Sequence, residues 1–376
     1  MVVHFLGKGM LCMNLVTQVY ETSKLKPEKT AYHFMGKDTK YGEFDKHVST
    51  FAQGLEDLGV KKGDHVAFLL GNTPHFIVSL YATMRIGATA IPINPIYSPS
   101  EISYILHNSD AKVVIALDQL LPLVEKAATS FPTIEHYIIC ETSTLTGSSI
   151  SELPEDVRKK VSQFTHFFAK DRPNKAPIEV DENETAVILY TSGTTGHPKG
   201  AMLTHKNLYS NARDTADYLS FSEEDRVIAT LPVFHVFALT VVVNAPLLKG
   251  ATILLLPKFS PAEVFETIKA QQATIFAGVP TMFNFLYQFP EGAAEDFKNI
   301  RIAISGGASL PVALLTNFES KFNVRISEGY GLSEASPVTC FNPLDRERVP
   351  GSIGRSIVNV ENKVVDEFGM KCRLVK

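Results

Sequence analysis

The residue types best suited to chemistry are concentrated in one stretch, Tyr190-Thr-Ser-Gly-Thr-Thr-Gly-His-Pro-Lys-Gly200. Gly193 and Gly196 let the backbone come close to a ligand and turn its amides inward. Thr191, Ser192, Thr194 and Thr195 add hydroxyl donors, and Lys199 adds a point charge. Such a bend suits a polyphosphate. An ordinary P-loop ends in Gly-Lys-Ser/Thr, whereas here His197 and Pro198 separate Gly196 from Lys199, which argues against a plain P-loop ATPase.

Three further stretches carry candidate groups. Leu231-Pro-Val-Phe-His-Val-Phe-Ala238 places His235 at a strand-to-helix junction; from spacing alone such a histidine reads first as a satisfied core residue. Ser305-Gly-Gly-Ala-Ser-Leu310 follows a strand pattern and opens a helical one, as a tight turn with a cap would. Glu328-Gly-Tyr-Gly-Leu-Ser-Glu-Ala-Ser336 offers a flat aromatic face at Tyr330 and a hard oxygen ligand at Glu334.

Taken together these stretches resemble the adenylate-forming superfamily of acyl-CoA synthetases, luciferases and peptide-synthetase adenylation domains. Thr-Ser-Gly-Thr-Thr-Gly-x-Pro-Lys-Gly is that family's signature loop, Pro-x-Phe-His-x-Phe is similar to its second signature, and Tyr-Gly-Leu-Ser-Glu to its third. Ser333 stands where Thr is usual, which keeps the hydroxyl. The resemblance runs from about Met13 to Gly369 and is strongest towards bacterial long-chain fatty-acid–CoA ligases.

It implies ATP and Mg2+ as cofactors and coenzyme A as co-substrate. Lys199, His235 and Glu334 would be the catalytic residues. Thr191, Ser192, Gly193, Thr194, Thr195, Gly196 and Lys199 would hold phosphates, with Lys199 on the outgoing pyrophosphate. Gly306, Gly307 and Ala308 would lie against adenine, and Glu328, Gly329, Tyr330 and Ser333 would complete the nucleotide site. Glu334 and Thr191 would be magnesium ligands. Amino-acid-activating relatives carry an aspartate just after the Phe, where this chain has His235 and no acid nearby; a buried ammonium without a partner is costly. An uncharged acyl tail fits, so the expected reaction joins a fatty acid to AMP and then to coenzyme A. An aryl-acid or luciferase-like enzyme, or a non-catalytic ATP- or acyl-binding fragment, are the alternatives.

Composition agrees with a globular chain: 376 residues, 45% hydrophobic, 20% charged and a net charge of -4. Nothing in that balance points to nucleic acid. Four scattered cysteines have neither metal-ligand nor disulfide-framework spacing, so a cytoplasmic setting is expected. Val227 to Leu248 is long enough to span a bilayer, but Pro232, His235, Asn244 and Pro246 interrupt it. A strand, a turn and a buried helix are expected there. The sequence leaves the oligomeric state open, a homodimer included.

The elements that must position these groups alternate in type. Strand patterns at 65–70, 89–93, 112–116 and 136–140 are separated by helical patterns at 74–86, from Ser98-Pro-Ser-Glu101 onward, and at 120–130. A second series has strands near 185–189, 227–230, 252–256, 274–276 and 301–304, with helices at 205–219, 261–271, 281–288 and 311–322. Continuous apolar strands between helices imply an α/β fold with two parallel-sheet, layered αβα subdomains. The polar stretch after Gly147, with Asp171-Arg-Pro-Asn-Lys-Ala-Pro177 as a linker, sets expected divisions at 13–175 and 176–350. Gly351-Ser-Ile-Gly-Arg355 would open a small β-barrel-like region over 351–376. Residues 1–12 read as a non-native leader, and Met370–Lys376 as the product of a frameshift. The resemblance would add beyond that point a hinge and a further domain carrying a catalytic lysine; without them the chain is expected to be impaired.

Overall fold

The computed structural model describes residues 14–131, 133–142, 146–191 and 198–372. The expected leader and the loop residues Ser192, Gly193, Thr194, Thr195 and Gly196 lie outside the described residues.

Among those described, the strands are β1 (Thr30–Phe34), β2 (Lys37–Lys40), β3 (His65–Leu69), β4 (Thr89–Pro92), β5 (Ala111–Leu117), β6 (His136–Cys140), β7 (Val161–Gln163) and β8 (Thr185–Thr191). They continue with β9 (Lys199–Thr204), β10 (Arg226–Ala229), β11 (Thr252–Leu255), β12 (Ile275–Gly278), β13 (Ile302–Ser305), β14 (Ile326–Gly331), β15 (Val338–Phe341) and β16 (Arg355–Ser356). Two sheets result. One has seven strands in the order β7-β6-β5-β3-β4-β8-β9, and the other has nine in the order β16-β15-β14-β13-β12-β10-β11-β1-β2. Their centres are parallel; β2, β9, β15 and β16 run antiparallel at the edges.

The alternation of side chains along a strand explains why both faces of each sheet are covered. In β3, Val66 and Phe68 enter a central core, whereas Ala67 and Leu69 enter an outer one. In β10 and β11, Val227, Ala229, Ile253 and Leu255 face the central core, and Ile228 and Leu254 a third. Helices Leu15–Leu25, Tyr41–Asp57, Pro74–Arg85 and His205–Tyr218 fill the centre between the sheets. The molecule is therefore a layered α/β fold, and each fully buried Val, Ile or Phe in those cores contributes about 1.5–3 kcal/mol.

The helices begin where local signals place them. Ser98 and Glu101 form a capping box ahead of Pro99–Asn108, and Thr204 and Asn207 form another ahead of His205–Tyr218. Among the described residues no helix is long and apolar enough to cross a membrane. The interrupted run instead folds as β10, a turn at Leu231–His235 and a buried helical stretch, Val236–Lys249, with a π-helical turn at Leu239–Asn244.

Two features depart from the sequence reading. A return strand, β9, stands between the phosphate loop and its helix, pairing Lys199 with Thr191 and Gly200 with Tyr190. Its side chains are mostly exposed or half-buried, so it carries no apolar run by which to recognise it. The sheets also do not divide at residue 175: β8 and β9 complete the seven-stranded sheet, while β1 and β2 close the edge of the other. Strands β1 and β2 are short and partly polar, turning at Met35-Gly36, both at positive φ. Asp171 to Pro177, read as a linker, is tied down at several points: Asn174 donates to Asp45 at 2.5 Å, and Lys175 N to Ser49 Oγ at 2.8 Å.

Candidate active site

The candidate residues converge because parallel strands end together. The segment after β13, the far end of β14 and the turn after β10 all lie at strand carboxyl ends, where open α/β sheets bind ligands. There His235, Phe237, Gly306, Gly307, Tyr330 and Ser333 line a cavity of about 190 Å³. A second hollow of about 210 Å³ adjoins it, sharing His235, Val236 and Ser333 and adding Asn94, Tyr190 and Thr191. Together they form one cleft reaching from the Tyr330 segment to the mouth of the phosphate loop. Strand β9, which begins with Lys199, packs against the turn Ser333–Ala335 that carries Glu334.

Close approach explains the glycines. A Cβ on Gly331 would stand 2.3 Å from the Pro337 carbonyl oxygen, and one on Gly329 2.2 Å from the Phe341 ring. Gly307 has φ +79°, which an L side chain rarely adopts. Tyr330 is 47% exposed, so its ring face is free to stack.

Each functional segment is pinned by a buried polar side chain elsewhere in the chain. Glu328 is buried, and its carboxylate accepts from Leu310 N at 2.9 Å, fixing the Gly306–Ala308 turn. Its other oxygen finds no partner among the described residues. Asn211, on helix His205–Tyr218, donates to Val338 O at 2.8 Å and accepts from Val338 N at 3.0 Å, holding the strand behind the Tyr330 segment. Asn72, just beyond β3, donates to Leu231 O at 2.9 Å and Leu256 O at 3.1 Å and accepts from Val233 N at 2.9 Å. It thus anchors the turn leading to His235 from the opposite sheet. Neither asparagine had a sequence signal, because each acts on backbone more than a hundred residues away.

His235 accepts from Phe237 N through Nδ1 at 3.3 Å, which leaves Nε2 to carry the proton of the neutral ring. Although His235 is exposed at the cleft, the protein around the ring desolvates its charged form and holds its pKa below the ordinary imidazole value. The ring is open to the cleft on one side, so a neutral N–H donor is presented where a phosphate or carboxylate oxygen could lie. Tyr190 donates to Asn108 Oδ1 at 2.7 Å, and burial pushes its hydroxyl up to about 12, so it stays protonated. Thr191 Oγ1 donates to Lys199 O across the hairpin at 3.4 Å. Glu334 is exposed, with no ion pair recorded among the described residues. No group of three or more His, Cys, Asp or Glu placed to hold a metal occurs among the described residues.

The structure therefore brings Thr191, His235, Gly306, Gly307, Gly329, Tyr330 and Ser333 to one cleft, with Glu334 and Lys199 on elements that touch at its rim. Glu328 is turned to the backbone beneath it, a supporting position.

Comparison with known proteins agrees with this geometry. A family model described as AMP-binding enzyme matches residues 19–373. A long-chain-fatty-acid–CoA ligase of Bacillus subtilis is 34% identical over 343 residues, covering 87% of this chain and 61% of that protein. A feruloyl-CoA synthase of Amycolatopsis sp is 31% identical, covering 88% of this chain and 61% of that protein. This chain thus spans about three-fifths of the length of those curated relatives. Among solved structures, the anthranilate CoA ligase AuaEII in complex with anthranoyl-AMP superposes with a TM-score of 0.88 at 25% identity, covering 97% of this chain and 68% of that one. The inhibitor-bound N-terminal domain of FACL13 from Mycobacterium tuberculosis gives 0.82 at 28% identity, covering 96% and 86%. By family match, by relatives and by fold, the chain belongs to the AMP-binding enzyme family.

Proposed function

We propose that the cleft joins a carboxylic acid to AMP, and that the full activity is that of a fatty-acid–CoA ligase. A carboxylate oxygen attacks the α-phosphorus of ATP; the new P–O bond forms as the bond to pyrophosphate breaks. In the second half a thiol, that of coenzyme A, takes the acyl group and releases AMP. The observation that carries this reading is the single cleft joining Thr191, His235, Gly306 and Tyr330.

The reaction needs no protein nucleophile, only positioning and charge stabilisation around phosphorus. Tyr330 and the Gly306–Gly307 backbone would hold the purine. Lys199 and the loop Ser192–Gly196 would take the charge accumulating on the leaving diphosphate. His235, neutral and with its proton on Nε2, would donate to an oxygen at the reacting centre. Glu334 and the Thr191 hydroxyl would hold magnesium, since Mg2+ is usually held by one or two protein oxygens together with substrate phosphates rather than by an all-protein cage. When bound, it would supply charge neutralisation at the phosphates.

Fatty acid is the first substrate reading because no acid stands beside His235 to hold a substrate ammonium, and because relatives such as that of Bacillus subtilis carry the name of long-chain-fatty-acid–CoA ligase. An aryl acid is the second, favoured by the relative named feruloyl-CoA synthase and by the anthranilate ligase neighbour. A panel of acids in ATP–pyrophosphate exchange separates them. Exchange rising with aliphatic chain length supports the first reading, and exchange with benzoate-type acids alone supports the second. No acid-dependent exchange with any member, in a chain extended to the length of its relatives, overturns both.

A further inference from the structure

A cavity of about 370 Å³ lies where the β1–β2 hairpin, helix Pro74–Arg85 and the 3-10 turn Phe164–Phe168 meet, and it shares no lining residue with the cleft. Its size is that of a small-molecule site. Tyr32, Phe34, Val78, Phe164 and Phe168 form its apolar wall. Phe164 and Phe168 pack 5.2 Å apart, with His75 edge-on to Phe164 at 4.8 Å and His47 edge-on to Phe168 at 5.5 Å. These rings offer faces and edges to another ring.

The polar lining is one-sided. Lys37, Thr39, His47, His75 and Thr165 border the cavity, and no Asp or Glu does. His75 borders the cavity, and because its Nδ1 is buried without a protein partner among the described residues, Nε2 is the ring nitrogen left to meet a ligand there. The carboxylates nearby are Glu43, 3.9 Å from Lys37 and 3.8 Å from His47, and Asp118 and Glu141, within electrostatic reach of His75. The Lys37–Glu43 pair is long and exposed, and such pairs contribute little, so Lys37 is available to an incoming anion.

We propose that this cavity binds a one- or two-ring aromatic carboxylate, the ring held by the Phe34, Val78 and Phe168 walls and the carboxylate met by Lys37 and His75. The site is independent of the adenylating cleft and stands whether or not that reading holds.

The chain contains no tryptophan, which makes the test clean. Phe168→Trp places a single reporter in the wall, and 4-nitrobenzoate, a quencher of the proposed class, is titrated with ATP present. Saturable quenching is expected. Adding Val78→Phe should weaken it at least tenfold, with Thr165→Phe as the second filling variant if that one does not fold. Lys37→Gln should weaken it several-fold. The proposal is overturned if a reporter at exposed Phe285, on helix Pro280–Gln288 and outside the cavity lining, is quenched equally, or if a folded filling variant leaves the titration unchanged. Decanoate displacing the probe as well as benzoate does would overturn the aromatic assignment.

Discussion

On the proposed reading Lys199 and Glu334 would supply the charges that meet phosphate and metal, and neither side chain holds the fold together. Each is exposed on an element whose backbone is fixed by other residues. Lys199→Ala and Glu334→Gln should each lower acid-dependent pyrophosphate exchange by roughly 10²–10³, while leaving the unfolding free energy measured in urea within about 0.5 kcal/mol of the parent. Equal losses of stability and rate would mean a structural role instead. Gly331→Ala should act the opposite way: its Cβ meets Pro337 backbone at 2.3 Å, so Tyr330 is displaced and adenosine binding falls with the metal site's charges intact. Calorimetry with AMP reads that loss. At this scale Tyr330 and its neighbouring glycines stood out by residue type, whereas His235 was marked by the family resemblance, its spacing alone suggesting a core residue; the structure places all of them along one cleft. It was silent on Asn72 and Asn211, because a buried amide bonded to distant backbone leaves no periodicity. Glu328 was legible as part of a motif but not as the support of Leu310, a role that depends on two strand ends lying side by side.

Among the elements, the hairpin β8–β9 and its following helix determine where the phosphate loop can stand. The helix begins at His205, which is 1% exposed, with Nδ1 lacking a partner among the described residues. Burial lowers its pKa from 6.5 to about 4. Because the folded value is depressed, the unfolded chain binds the proton first. Stability is therefore complete above pH 6.5 and is lost as pH falls towards 4, by roughly 3 kcal/mol from this group. His205→Gln should flatten that part of the profile; urea unfolding of both chains at pH 7 and pH 4.5 measures it, and identical slopes would contradict the assignment. Parallel strands β3 to β6 and β10 to β13 were readable from their apolar runs, and helix 261–271 from its Pro start and periodicity. Strand β1 and the edge strands β2, β7 and β9 were not, since a partly solvated strand of three to six residues looks like loop.

Across the whole molecule, two sheets are locked face to face by one central core, and the cleft forms where both contribute strand ends. Asn72 crosses that junction. Asn72→Ala strands Val233 N and the Leu231 and Leu256 carbonyls in a buried setting, at a cost of about 2–4 kcal/mol for the unpaired groups. It should also slow exchange, since the turn to His235 loses its anchor. Differential scanning calorimetry with the exchange assay checks both, and an unchanged melting temperature would refute the clamp. Fold class and layering followed from alternation of apolar runs. The division of strands between sheets did not, because β1 and β8 each pair across the expected division at residue 175, β1 with β11 and β8 with β4.

On the proposed function, an acyl-adenylate would lie in one cleft between the Tyr330 segment and the Lys199 strand. Electron density for a non-hydrolysable acyl-adenylate, decanoyl-sulfamoyl-adenosine, soaked into crystals of this chain tests it most directly. The account predicts the purine on Tyr330 beside Gly306 and Gly307, the sulfamoyl group between His235 and Thr191, and the tail leading past Phe237. Density anywhere else, or none at millimolar ligand, would contradict it.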